Sequence, residues 1–191
     1  MNAIKIFALI LAVMTAIFGV AATKKPVRIA CLPIIFQNKI DAETRNELEF
    51  KLSRAVHIPL NETLDAAEYL DAENSAATFA KILRDNKNFS DAVKILAENL
   101  DADLIICANF KRYSQSAAPS LSIYGESRLH SEVAAEMIIY DRRDENLIHK
   151  KISRSHHGEF NKFRTAKNLA ATCLDELIRK TRLKEIIGAI R

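Results

Sequence analysis

The sequence predicts a single α/β domain in which helices cover a five-stranded mixed sheet. Two nearly continuous apolar segments, 27–35 and 103–110, are typical of strands buried on both faces. Helical patterns separate them, and this arrangement requires crossover connections and parallel pairing. Two more strand-like segments, 131–141 and 147–155, flank the polar turn 142–146 and indicate an antiparallel hairpin. The predicted order is β-α-β-α-β-β-β-α.

The segment between the two buried strands supplies the crossovers. Asp41 is placed to cap a helix with an apolar stripe. Residues 56–60 predict a short second strand, and Pro59, which has no N–H group, favours a position at the sheet edge. Residues 61–100 are helical in pattern, beginning with a short helix around 64–70.

The C-terminal half contains a loop and a closing helix. Residues 113–122 are rich in Ser and Ala and contain Pro119, which predicts a mobile loop. An apolar stripe through 165–181 predicts a long helix, and a short C-terminal helix is expected over 183–191. With 49% hydrophobic residues and only four Gly and four Pro, residues 23–191 are expected to form one globular domain.

The N-terminus resembles a secretory signal peptide over residues 1–22. Lys5 precedes an apolar run of 15 residues, 6–20, and small side chains follow at Val20, Ala21 and Ala22. We predict cleavage after Ala22. An uncleaved membrane anchor is the alternative, but the run is shorter than the ~20 residues that span a bilayer.

The predicted leader indicates a protein exported to the periplasm or another extracytoplasmic compartment. No later segment approaches membrane-spanning length, so the mature protein is expected to be soluble. Lipid attachment would need a cysteine directly after the apolar run. The nearest, Cys31, lies beyond Lys24, Lys25 and Arg28 and inside a predicted strand, so no lipid anchor is expected.

Charge is unevenly distributed along the chain. Residues 142–191 hold 13 Lys and Arg against 6 Asp and Glu, although the whole chain has a net charge of only +4. This basic third could bind an acidic partner, anionic lipid or cell-wall polymer; the alternative is a solvated helix face and hairpin. The candidate binding residues are Lys150, Lys151, Arg154, His156, Arg142 and Arg143.

The three cysteines leave two interpretations open. Cys31, Cys107 and Cys173 all lie in apolar sequence, where a free cysteine packs as a small hydrophobic residue. If the first and third strands are neighbours, Cys31 and Cys107 could instead form a disulfide. No spacing typical of a zinc site occurs.

Three segments carry a resemblance to a group of bacterial envelope domains. They are Ile29-Ala30-Cys31-Leu32-Pro33, the passage 99–108 and the hairpin start Met137-Ile138-Ile139-Tyr140-Asp141. They resemble the group that includes the N-terminal domain of TolB, LpoB and CsgG. The resemblance implies the anticodon-binding-domain-like fold and a function in binding envelope proteins or in assembly. Asp101 stands where the group usually has Gly, and the hairpin turn lacks Thr-Gly.

The residues offer little catalytic chemistry. His156 and His157 are adjacent on a predicted strand and point to opposite faces, so they cannot readily share a metal ion. The sequence has no G-x-S-x-G, P-loop or G-x-G-x-x-G motif. We therefore predict no catalytic, metal-binding or cofactor-binding residues. A small hydrolase or metal-dependent enzyme is the third hypothesis for the function.

The predicted function is that of an exported, non-catalytic interaction or assembly domain of the bacterial cell envelope, with an envelope protein as partner. The alternative is a domain that binds anionic lipid or cell-wall polymer through the basic third. Nucleic acid is not expected as a partner because the predicted leader removes the protein from the cytoplasm.

Overall fold

The computed structural model describes residues 25–59, 61–86, 88–118 and 128–190. The predicted signal peptide lies outside these ranges. The strands are β1 (Val27–Cys31), β2 (Ile35–Phe36), β3 (Ala67–Tyr69), β4 (Leu104–Ala118), β5 (Arg128–Asp141) and β6 (Asn146–Glu159). The helices are α1 (Ala42–Val56), α2 (Asn61–Leu64), α3 (Ala72–Asp85), α4 (Phe89–Leu100), α5 (Ala166–Lys180) and α6 (Leu183–Gly188), and a 3-10 turn spans Lys162–Arg164.

The strands form one mixed sheet in the order β3-β1-β4-β5-β6, with β2 also paired to β4. β1 lies parallel to both β3 and β4, and β4, β5 and β6 form an antiparallel meander. The predicted mixed α/β domain is confirmed. The predicted count of five strands is wrong, since the described residues form a six-stranded sheet. The additional strand is β2, whose two residues are too short for a periodic pattern.

Each face of the sheet has its own hydrophobic core. On the front face, α1, α5 and α6 pack against side chains such as Ile29, Ile106 and Ile139. On the back face, α3 and α4 pack against Ala30, Ile105, Cys107 and Ile138. Successive strand residues alternate between the two cores, as the strand period of two requires. No helix among the described residues is long and apolar enough to cross a membrane.

The predicted second strand is misplaced. α1 continues to Val56, so the apolar side chains at 56 and 58 are buried at a helix end and not in a strand. The edge strand is Ala67–Tyr69, within the segment expected to be helical, and it pairs with Val27–Ile29. The Asn61 side chain bonds both the N–H and the C=O of Ala67, at 2.8 and 2.7 Å. Tertiary pairing with β1 therefore overrides a weak local pattern.

The predicted mobile loop is wrong for residues 113–118, which extend β4. They pair with β5 in a regular antiparallel register, for example Ala118 with Arg128. Small polar side chains are compatible with a strand here because they lie on a solvated part of the sheet. Residues 119–122 lie outside the described part of the chain.

The C-terminal predictions are largely confirmed. The hairpin is present with longer strands than expected, and Asp141 pairs with Asn146 across its turn. α5 begins after Thr165, whose hydroxyl accepts a bond from the Asn168 N–H. The last helix is shorter than predicted and ends at Gly188.

The Cys31–Cys107 disulfide is ruled out by register. Cys31 pairs with Ile106, so Cys107 projects from the opposite face and packs in the back core. All three cysteines are free. Burial raises the pKa of the Cys31 thiol to about 12 and that of Cys173 to about 11, so both stay protonated at neutral pH.

Candidate functional site

The back face of the sheet is covered by helices over only part of its length. β5 and β6 each contain 14 residues, which is roughly 45 Å at ~3.4 Å per residue. α3 and α4 cover the half next to Ile138 and Tyr140. Beyond these residues no described helix covers the back face. We call this surface the open face; it consists of Asn109, Lys111, Arg112, Ser114 and Ser116 of β4, His130, Glu132, Ala134 and Glu136 of β5, and His149, Lys151, Ser153, Ser155 and His157 of β6.

A β-bulge marks the start of the open face on β4. Every residue from Leu104 to Phe110 is buried, whereas most of those that follow are exposed. The register shifts between Phe110 and Arg112. As a result Lys111 contacts Glu136 and Arg112 contacts Glu132, and both carboxylates project from the same face of β5. A regular strand would send consecutive side chains to opposite faces, so the bulge concentrates basic charge here.

Glu136 is the centre of a polar network at the inner border of the open face. Its side chain is only 2% exposed. One carboxylate oxygen accepts bonds from Asn109 Nδ2 at 3.0 Å and Lys111 Nζ at 2.9 Å, and the other lies 3.0 Å from His149 Nε2. Burial raises the pKa of Glu136, but the bonds from Lys111, His149 and Asn109 outweigh it and leave the pKa below its ordinary value. The carboxylate is therefore a fixed, paired anion.

Two histidines meet at the outer end of the open face. His130 of β5 lies directly opposite His157 of β6. Their Nδ1 atoms are 2.6 Å apart and their ring centroids 4.0 Å apart. Once Asp141 is paired with Asn146, counting along the two strands places His130 opposite His157. The sequence alone did not establish that register, so the contact was not predicted.

The open face contains two shallow depressions. One of about 340 Å³ is lined by Lys111, Glu136, Lys151 and Ser153 among others. Another of about 510 Å³ is lined by Ser116, Arg128, His130, His157 and Glu159 among others. Among the described residues, no group of three or more His, Cys, Asp and Glu side chains could hold a metal ion.

The predicted binding residues at the hairpin turn are paired internally. Arg142 lies 2.6 Å from Asp101 and 3.7 Å from Asp103. The hydrogen bond from Arg142 lowers the pKa of Asp101. Arg143 lies 2.6 Å from Asp141. The ion pairs of these two arginines therefore link the turn to the end of α4 and to β5.

The four predicted residues on β6 divide between the two faces of the sheet. Lys150, Arg154 and His156 project to the front and Lys151 to the back. Arg154 lies 2.5 Å from Glu176 of α5, and His156 Nε2 lies 3.1 Å from a backbone oxygen. The six candidates therefore form no single surface, and only Lys151 belongs to the open face.

A second exposed feature lies beyond the outer end of β6. Phe160 and Phe163 are 57% and 69% exposed. They alternate with Lys162 and Arg164, and Lys162 Nζ lies 5.1 Å from the centroid of the Phe163 ring. We call residues 160–164 the basic-aromatic segment. The alternation of aromatic and basic residues is visible in the sequence, but only the structure shows that both rings are exposed.

An apolar cavity of about 330 Å³ lies at the carboxyl ends of β1 and β3, between α1 and α3. Ligands often bind at this position in α/β sheets. Here the Tyr69 hydroxyl donates to the Val56 oxygen and accepts from the Ile58 N–H. The Cys31 thiol, which lines the cavity, stays protonated and is therefore not an activated nucleophile.

Comparisons with known proteins return structures and no sequence relatives. No protein-family model matches the chain, and no curated protein does. A hypothetical protein from Chlamydia trachomatis has a TM-score of 0.45 at 14% identity, with 86% of this chain and 98% of that chain covered. A lipoprotein from Neisseria meningitidis has a TM-score of 0.36 at 15% identity, over 82% of this chain and 99% of that one. The C-terminal domain of LpoB from Salmonella enterica has a TM-score of 0.33 at 7% identity, over 73% and 90%.

These structures thus include a lipoprotein and a domain of LpoB. No sequence match singles out the TolB, LpoB or CsgG group. Since every TM-score quoted is below 0.5, the function is argued from the residues of this chain.

Proposed function

We propose that the chain is an exported, non-catalytic domain of the bacterial cell envelope that binds another protein through the open face. The observation that carries the proposal is the half-covered sheet, in which three long strands present a polar back face with no described helix over it. The leader-like N-terminus supports export, and the protonated thiols support a role without covalent catalysis.

The charges of the open face indicate the chemistry of the partner. Glu132 and Glu136 already pair with Arg112 and Lys111. Lys151 is exposed and forms no ion pair with any residue that the structure describes. Arg112 keeps 64% of its side chain exposed although it is paired. The face thus offers cations with few free carboxylates, which suits a protein surface rich in Asp and Glu.

Site-specific photo-crosslinking in the source bacterium tests this surface. A photoreactive residue at Ser153 is expected to yield a discrete protein adduct. The same residue at Lys81, exposed on α3, is the matched control and is expected to yield none. Lys151→Glu should abolish the adduct, while Lys81→Glu should not. No adduct from Ser153, or equal adducts from both positions, would overturn the proposal.

A second candidate function is binding to an anionic lipid surface through the basic-aromatic segment. The observation that favours it is the exposure of Phe160 and Phe163 beside Lys162 and Arg164. Exposed rings enter the interfacial region of a bilayer, and neighbouring cations attract anionic headgroups. A single short segment of this kind supports weak, reversible attachment.

Co-sedimentation with phosphatidylglycerol vesicles tests this candidate. Binding should weaken with salt and with Phe163→Ser, but not with Phe50→Ser, which removes an equally exposed ring on α1. Binding that survives Phe163→Ser and is lost on charge reversal of Lys150, Lys151 and Arg154 would contradict the lipid role of this segment. Salt-sensitive binding to cell-wall polymer without dependence on Phe163 would contradict it too.

A further inference from the structure

We infer that His130 and His157 form a two-histidine site for a divalent transition-metal ion, zinc or copper. The two residues are directly opposed on β5 and β6, and their Nδ1 atoms are 2.6 Å apart. Both nitrogens are thus directed at the same small volume. Neutral imidazole nitrogen is a preferred ligand of zinc and copper.

The geometry of the pair needs only a small change to accept an ion. Zinc–nitrogen bonds are about 2.0–2.1 Å long, so tetrahedral coordination places two ligand nitrogens about 3.3 Å apart. The Nδ1 atoms must therefore separate by less than about 1 Å, which side-chain rotation alone can supply. In the absence of metal, one ring must donate a proton and the other accept it, and an ion would take the place of that shared proton.

The surroundings leave room for the remaining ligands. His157 is exposed and His130 half-buried, and both line the depression of about 510 Å³. The other polar groups there are Ser116, Arg128 and Glu159. No third His, Cys, Asp or Glu joins the pair among the described residues, and we propose that water completes the coordination. The Arg128 cation opposes binding and the Glu159 carboxylate favours it, so we expect a weak site and not a structural one.

Occupancy would have a mechanical consequence. The ion would cross-link β5 to β6 at the outer end of the meander, where β6 is an edge strand. It would thereby stabilise the outer end of the open face. The inference does not depend on the proposed function, since the histidines could bind metal whether or not a partner docks there.

Titration calorimetry of the untagged chain with Zn²⁺ and Cu²⁺ at neutral pH tests the site. We expect one ion per chain, with binding lost in His130→Ala and in His157→Ala. His156→Ala is the matched control, because that histidine is the chain neighbour of His157 but projects to the front face. His149→Ala is a second control, since His149 contacts Glu136.

Thermal unfolding gives an independent readout. Added metal should raise the Tm of the wild type and of His156→Ala, and leave the Tm of His157→Ala unchanged. The electron paramagnetic resonance spectrum of the Cu²⁺ form should show two coordinated nitrogens. The inference is overturned if no ion binds, if His157→Ala retains binding, or if His156→Ala abolishes it. Because His157 is exposed, its substitution should leave the metal-free fold intact.

Discussion

The inner and outer halves of β4 are the same strand in two different environments. Leu104–Phe110 is buried without interruption because helices pack on both faces of the sheet. Lys111–Ala118 keeps its pairing with β5 but is largely exposed. On the front face the outer half is still held to the domain, since Gln115 accepts a bond from the N–H of Ala166 at the start of α5. Strand pairing therefore continues past the point where back-face burial stops.

We therefore expect the inner half to determine stability and the outer half to serve the proposed recognition. The inner half holds two cores and few free polar groups, so its changes are expected to affect folding. The outer half holds polar side chains on a fixed frame, which suits it for contacts with other molecules. Four predictions test the division.

The largest effect is expected in the inner half. Ile106→Ala removes a fully buried side chain from the front core and should lower the free energy of unfolding by about 2–5 kcal/mol. Urea denaturation measures it. Ser153→Ala, on the open face, is the control and should change it by less than about 0.5 kcal/mol. Equal effects at the two positions would refute the division.

At the border of the two halves, Glu136→Ala should destabilise the fold by about 1–3 kcal/mol, because it leaves the buried Asn109 amide without its partner. Glu136→Gln keeps a hydrogen-bonding side chain and should cost less. The comparison by denaturation tests whether the network is structural. A Glu136→Ala protein as stable as the wild type would show that the network contributes nothing to folding.

A pH-dependent effect is expected where α5 meets β6. Bonds from Arg154 and Lys180 lower the pKa of Glu176 to about 2. A glutamate in an unfolded chain titrates near ~4.3, so the ion pair stabilises the fold above that pH and is lost as the pH falls toward 2. Glu176→Gln should therefore flatten the dependence of unfolding free energy on pH in this window. An unchanged pH slope would contradict the assignment.

The smallest effect is expected at Asp101, at the inner end of the sheet. Its backbone is left-handed, with φ 49° and ψ 42°, at the C-terminus of α4. Glycine adopts this conformation without strain. Asp101 instead bonds Arg28 and Arg142. Asp101→Gly should leave the Tm nearly unchanged, whereas Asp101→Ala should lower it, since Ala offers neither benefit.

Much of the fold could be predicted because burial leaves a local pattern. The starts of the two buried strands, the hairpin and α5 were each predicted within a few residues. The short edge strand was not, because three residues carry too little pattern and pairing with β1 decides their conformation. The outer half of β4 was predicted as a loop because its small polar side chains carry no strand pattern of their own. Pairing with β5 makes it a strand.

The candidate site was less predictable than the fold. Basic residues were identified from charge density, but alternation along β6 sends them to both faces and several pair with carboxylates remote in sequence. The back-face contacts of Lys111 and Arg112 depend on a β-bulge, and the residue types in this segment do not predict one. The histidine pair depends on register.

By itself the sequence determined which segments are buried, where the hairpin turns, and the leader-like character of the N-terminus, because hydrophobic spacing and turn chemistry are properties of neighbouring residues. Only the tertiary structure decided the strand at the edge, the separation of Cys31 from Cys107, and the opposition of His130 to His157. Those outcomes depend on register between distant segments, and a shift of one residue would send each side chain to the other face of the sheet.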